Sequence, residues 1–206
     1  VTYVSSDFPI FWESAQGALV TDVDGNRFID LTSAFGVATI GHTNANVVAA
    51  LDAQVRQLLH GLGDVHPSRI RFEFLAALAR VAPGDLSKSF LCSSGSEAVD
   101  FALKTAYLHT RRAGIVAFEG SYHGLSSSAL AVTGIERFRA PFAPFVRGEV
   151  SFVPFPPKRA GSDAATASLR SVEERLRAGD GAVIVEPIQG RAGVVVPPGG
   201  WLRELR

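Results

Sequence analysis

A chain of 206 residues that is 47% hydrophobic and only 19% charged has apolar material for a sizeable core, which excludes a disordered chain. Twenty basic side chains offset twenty acidic ones with no run of five like charges, so nothing here has the footprint of a nucleic-acid binder, and a small polar ligand is expected instead. The single cysteine, Cys92, excludes an intrachain disulfide; no apolar run approaches the roughly 20 residues of a membrane span, Val1 to Ile10 lacks a secretion-signal pattern, and the expected location is the cytoplasm.

In chain order, Ala18 to Val23 and Arg27 to Leu31 suit two strands of a hairpin, joined at Asp24-Gly25-Asn26, whose glycine can take a positive φ. Asn44 to His60 sets Val47, Val48, Leu51, Val55, Leu58 and Leu59 at helical spacing. Ser68 to Val81 does the same with Ile70, Phe74, Leu75 and Leu78, and stops before Pro83-Gly84. Short strands are then expected at Ser89 to Cys92, Ile115 to Phe118, Val150 to Val153 and Ala182 to Val185. Helices between them are expected at Glu97 to Thr110 and Ser168 to Arg177. Alternating strands and helices predict a mostly parallel sheet with helices on both faces, because parallel neighbours need long crossovers. The proline-rich stretch Phe152 to Gly161 reads as a surface loop.

In such a sheet ligands bind beyond the carboxyl ends of the strands, so the residues that leave each strand carry the information. Cys92-Ser93-Ser94-Gly95-Ser96-Glu97-Ala98 runs into a helix. A helix start has unpaired amides and a partial positive charge, which favour a phosphate, and Gly95 lets the backbone come close to an anion. Ser94 and Glu97 are also spaced as a capping box, which explains the same residues without any ligand. Phe118-Glu119-Gly120-Ser121-Tyr122-His123-Gly124 brackets an aromatic pair with glycines, either to present a flat side chain to a flat ligand or to add to the core. Ala182-Val-Ile-Val-Glu186-Pro187 leaves a carboxylate at the rim of the sheet, solvated or functional.

Together and in order, Ser94-Gly95-Ser96-Glu97-Ala98, Tyr122-His123-Gly124 and Glu186-Pro187-Ile188-Gln189-Gly190 resemble the successive motifs of the class III aminotransferases, the 4-aminobutyrate and ornithine type. These are pyridoxal 5′-phosphate (PLP) enzymes of the type I transferase fold. The resemblance extends to Trp12 to Asp30 and to Gly41-His42, and departs at Asn44 and Ala45, where a histidine and a proline are usual. It implies that Ser94, Gly95 and Ser96 hold the cofactor phosphate, that Tyr122 stacks on the pyridine ring with His123 supporting its loop, and that Glu186 lies near the far edge of the ring. Trp12 resembles a residue at the substrate entrance, although a packing aromatic explains it as well.

The resemblance further implies an α/β architecture in which residues 1–45 belong to a small domain and 46–206 form the first half of a large PLP-binding domain. It also implies a homodimer acting on an amino donor and an oxo acceptor. The aspartate that pairs with the pyridine nitrogen and the lysine that binds the cofactor lie further downstream in relatives, so the chain is expected to be a piece of a longer enzyme and inactive alone, with no catalytic residue of its own. Lys88, Lys104 and Lys158 read as surface lysines, and Lys104 sits more than two helical turns beyond Gly95. An aminomutase, a racemase of the same fold, and a non-catalytic PLP- or partner-binding segment remain alternatives. No Gly-x-Gly-x-x-Gly follows a strand, and Gly124-Leu-Ser126-Ser-Ser128 lacks the closing glycine of a nucleophile elbow, which argues against dinucleotide binding and serine hydrolysis.

Overall fold

Residues 8–63 and 65–206 are described by a computed structural model, in which the chain divides after Ser89. In the first unit β1 (Trp12–Gln16), β2 (Leu19–Asp22) and β3 (Arg27–Ile29) form an antiparallel sheet in that order. The expected hairpin is β2–β3. Its turn is organised by Asp22, whose buried carboxylate accepts from the amides of Asp24 (3.0 Å) and Asn26 (2.8 Å) and from the Asn26 side chain (3.0 Å), while Gly25 takes φ +82°. β1 was not expected, since Trp12-Glu-Ser-Ala-Gln16 has no clear alternation and gains its extended form by pairing with β2. A single turn, α1 (Ser33–Gly36), holds Ala34 and Phe35 in the left-handed region. Asp30 ties this segment down, accepting from the Thr32 amide and hydroxyl, the Ala34 amide and His42 Nε2.

Two helices follow, α2 (Ala45–Gln57) and α3 (Arg69–Val81). Asn44 caps the first through its side-chain oxygen, which accepts from the Asn46 and Val47 amides; Ser68 caps the second by accepting from Arg71. The α2 helix stops three residues before the expected His60, because Leu58 turns extended and the Gln54 side chain closes over its carbonyl at 2.7 Å.

The second unit contains α4 (Gly95–Thr110), β4 (Ile115–Phe118), α5 (Ser127–Ala131), α6 (Glu136–Arg139), β5 (Val150–Val153), α7 (Gly161–Ala178), β6 (Ala182–Val183) and α8 (Trp201–Leu205). The three strands form a parallel sheet in the order β5-β4-β6, with Ile115 opposite both Val150 and Ala182. Side chains alternate across it. Ile115 and Ala117 join Val132, Val99 and Leu103 on the α4 side, whereas Val116 and Phe118 join Val153, Phe155, Val172 and Trp201 on the α7 side. Phe118, Phe155 and Trp201 pack edge-to-face with ring centres 5.2–5.8 Å apart. Helices on both faces of a parallel sheet are the expected architecture.

Further expectations are corrected, among them the last strand, β6, which ends at Val183, two residues short of the expected Val185. Ser89 to Cys92 forms no ladder with any strand among the described residues, so its apolar pattern goes unused as a strand; Phe90 instead packs on Phe101, centres 4.3 Å apart. The α7 helix begins seven residues before the expected Ser168, since its first two turns are small and polar and carry no apolar period. The Phe152 to Gly161 stretch is not a loop throughout: Phe152 and Val153 are the end of β5, and Lys158–Ala160 is a 3₁₀ turn.

Candidate cofactor site

The opening of α4 has the donors an anion needs. Ser94 caps the helix, its hydroxyl accepting from the Glu97 amide at 3.2 Å. Glu97 reaches back to the Ser93 amide at 2.6 Å, one residue before the cap, where a capping box usually closes on the cap residue itself. Among the described residues the amides of Ser94, Gly95 and Ser96 therefore have no partner. Nothing lies within 4 Å of where a Gly95 Cβ would stand, so the space before them is open. The capping box and the anion-ready amides, alternatives in the sequence, coexist.

The aromatic loop is joined to this helix opening. The Leu125 amide donates to Ser96 Oγ at 3.2 Å, and a Cβ on Gly124 would come within 2.1 Å of that same oxygen. Only glycine permits such an approach, and Gly124 also has φ +129°. Beneath the loop, Thr133 accepts from the His123 amide at 3.1 Å and donates through its hydroxyl toward the Gly124 and Ala129 carbonyls. The His123 side chain is turned inward. Its Nε2 is buried with no partner among the described residues, and burial pushes the imidazole from the ordinary 6.5 down to about 4, so the ring is neutral at physiological pH.

Glu186, at the carboxyl end of β6, binds the loop at the carboxyl end of β4. One carboxylate oxygen accepts from the Tyr122 amide at 2.8 Å, and the other accepts from Gly190 at 3.3 Å. Gln189, buried, donates to the Glu119 carbonyl at 2.7 Å. Ser94, Gly95, Ser96, Tyr122, His123 and Glu186 are thus brought together at one edge of the sheet, with the helix opening linked through the Leu125 contact instead of through a strand of its own.

A model of the aminotransferase class-III family matches residues 2–206. The chain belongs to the class III aminotransferases. It is 39% identical over 98% of its length to an acetylornithine aminotransferase of Methanopyrus kandleri, and 36% identical over 98% to a 4-aminobutyrate aminotransferase of Mycobacterium leprae. It spans 48% of each, about half the length of the curated relatives it matches. Among solved structures it superposes on an (S)-enantioselective omega-transaminase from Thermomicrobium roseum with a TM-score of 0.88 at 28% identity, covering 96% of this chain and 48% of that one. A taurine:2-oxoglutarate aminotransferase from Bifidobacterium kashiwanohense, solved with PLP and glutamate, gives the same TM-score over 100% of this chain and 49% of that one; at 23% identity it shows the fold alone. PLP is the cofactor of this family, and the described helices include none long and apolar enough to cross a membrane.

Trp12 is in the first unit, half exposed, with its ring edge-on to His42 at 5.7 Å. Lys104 is paired with Asp100 one turn away and lies over the Phe101 ring. Several contributors to the site escape sequence reasoning. Thr133 sits ten residues beyond His123 in an apolar run with no motif, and nothing could have flagged it. Gln189 falls inside the Glu186 to Gly190 motif, so its position was visible but its contact with Glu119, 70 residues away, was not. Phe138, edge-on to Tyr122 at 5.7 Å, and Arg191, whose guanidinium carbon lies 5.2 Å from the Tyr122 ring centre, are brought in by the fold.

Proposed function

We propose that the opening of α4, the Tyr122–Gly124 loop and Glu186 bind pyridoxal 5′-phosphate. In the whole natural protein this site would serve transfer of an amino group from an amine or amino acid to an oxo-acid or aldehyde. One observation carries the reading: three successive amides at a helix N-terminus, without a partner among the described residues, stand beside a loop that presents a tyrosine, joined to it by the Leu125–Ser96 hydrogen bond. The residues fit the group. Ser94, Gly95 and Ser96 offer amides to a phosphate dianion. The Ser96 hydroxyl, already accepting from Leu125, keeps its own proton to donate. Tyr122, only part-buried, has ring surface for a flat heterocycle, and its backbone is fixed by Glu186. Neutral His123 fills the space under the loop without adding charge. When bound, the cofactor supplies an electron-withdrawing ring that takes up negative charge from the carbon beside the amino nitrogen. In the same reading residues 1–45 go with a small domain, 46–206 with the cofactor domain, and the whole protein is a homodimer.

Calorimetric titration with pyridoxamine 5′-phosphate and with pyridoxamine tests the cofactor assignment, since neither ligand has the aldehyde that labels surface lysines. The phosphorylated form is expected to bind at least about tenfold more tightly, the worth of one or two charge-assisted hydrogen bonds. Equal affinity for the two would remove the phosphate from the site. Amino transfer itself is read in the whole natural protein, by the appearance of an amino acid from its oxo-acid in the presence of a donor.

A further inference from the structure

We propose that Arg191 is a specificity-determining residue, its guanidinium receiving a substrate carboxylate at the lip of the Tyr122 face; the proposal rests on the cofactor reading above. The side chain springs from a loop held in place at several points. Gln189 and Val195 exchange backbone hydrogen bonds of 3.0 and 2.9 Å, and the amides of Gly193 and Val194 both close on the Gly190 carbonyl at 3.2 Å. The foot of the loop is fastened to the aromatic loop twice, by Gln189 on the Glu119 carbonyl and by Glu186, whose two oxygens bridge the Gly190 and Tyr122 amides.

From this base the guanidinium carbon lies 5.2 Å from the centre of the Tyr122 ring and 5.6 Å from that of Phe138. Those two rings are edge-on at 5.7 Å and form a corner around the cation. Attraction of the cation to the aromatic rings spends none of its five N–H donors. Among the described residues no carboxylate pairs with Arg191, and the side chain is exposed. A cation with its donors unspent, beside the tyrosine assigned to the cofactor ring, matches the planar carboxylate of an amino or oxo acid, which it can grip with two parallel hydrogen bonds. The favoured substrates are therefore acids carrying a carboxylate away from the reacting carbon, in preference to simple amines.

The probe is glutarate, a dicarboxylate with neither amino nor oxo group, titrated into the chain loaded with pyridoxamine 5′-phosphate. Arg191→Gln is expected to raise the glutarate dissociation constant about tenfold or more, with Arg191→Lys intermediate and both variants still able to bind pyridoxamine 5′-phosphate. In the whole natural protein the same change is expected to raise KM for acid substrates and leave kcat close to wild type. Unchanged glutarate affinity in a variant that still binds the cofactor would overturn the proposal and reduce Arg191 to a cover over two rings. Failure of the wild-type chain to bind the cofactor at all would overturn the underlying reading, and this proposal with it.

Discussion

Ser96 has two hydrogen-bonding capacities, and the fold itself uses one. Its oxygen accepts from Leu125, which holds the aromatic loop against the helix opening, and its proton is left for a ligand. Ser96→Ala removes both. If Ser96 donates to the phosphate as proposed, affinity for pyridoxamine 5′-phosphate is expected to fall about tenfold or more, while affinity for unphosphorylated pyridoxamine falls much less. An equal loss for both ligands would mean that the serine acts only by holding the loop. At His123 the consequence is pH dependence. Its folded pKa, about 4, is below the ordinary 6.5, so above pH 6.5 the ring is neutral in both states. As pH falls from 6.5 toward 4 the unfolded chain takes up a proton that the folded chain refuses, and stability is lost across that window. After allowance for partial exposure the loss is about 2 kcal/mol. Denaturant midpoints of the wild type should drop more steeply through this interval than those of His123→Gln, and parallel curves would rule the histidine out as the cause.

At the scale of elements, β4 and the turn behind it decide whether the aromatic loop exists. Gly134 closes on this loop, its amide donating to the Ser121 carbonyl at 2.8 Å and its carbonyl accepting from Gly120 at 3.3 Å. A Cβ there would stand 2.1 Å from the Phe118 carbonyl oxygen and 2.9 Å from the Gly120 amide, both backbone atoms that cannot step aside. Gly134→Ala is therefore expected to cost about 2–4 kcal/mol and to weaken cofactor binding, the first seen in chemical denaturation and the second in the same titrations. A variant with wild-type stability would show that the turn relaxes freely. Local signals in the sequence were enough for β4 and β5, whose expected bounds match the observed strands residue for residue, and for the cap at Ser94. They failed where an element depends on a distant partner. The β1 strand exists only through β2, and Ser89 to Cys92 has a strand's composition without a strand beside it. The same division holds in the site. The motifs located Ser94 to Ser96, Tyr122 and Glu186, whereas Thr133, Phe138 and the aromatic corner around Arg191 arise from packing between segments that no local pattern connects.

For the molecule as a whole, the two units differ in how much apolar surface they bury. In the second, Val116, Ala117 and Phe118 have no exposed surface, and helices cover both faces of the sheet. In the first, neither α2 nor α3 buries a single residue, and Val48, Leu51 and Val55 on one helix and Ile70, Phe72 and Phe74 on the other are about half exposed or more. Helices of 13 residues are marginal on propensity alone and draw their stability from a covered apolar face. The 206-residue chain in isolation is therefore expected to show two tiers of hydrogen exchange, with the amides of β4 among the slowest and those of α2 and α3 exchanging orders of magnitude faster. The exposed rows also predict association. Sedimentation velocity should show species larger than the monomer whose share grows with concentration, and protection in α2 and α3 should rise in step, because burying those rows is what the helices lack. Protection that is uniform along the chain and independent of concentration would contradict both expectations, and would mean that the two helices hold their form without a covered face.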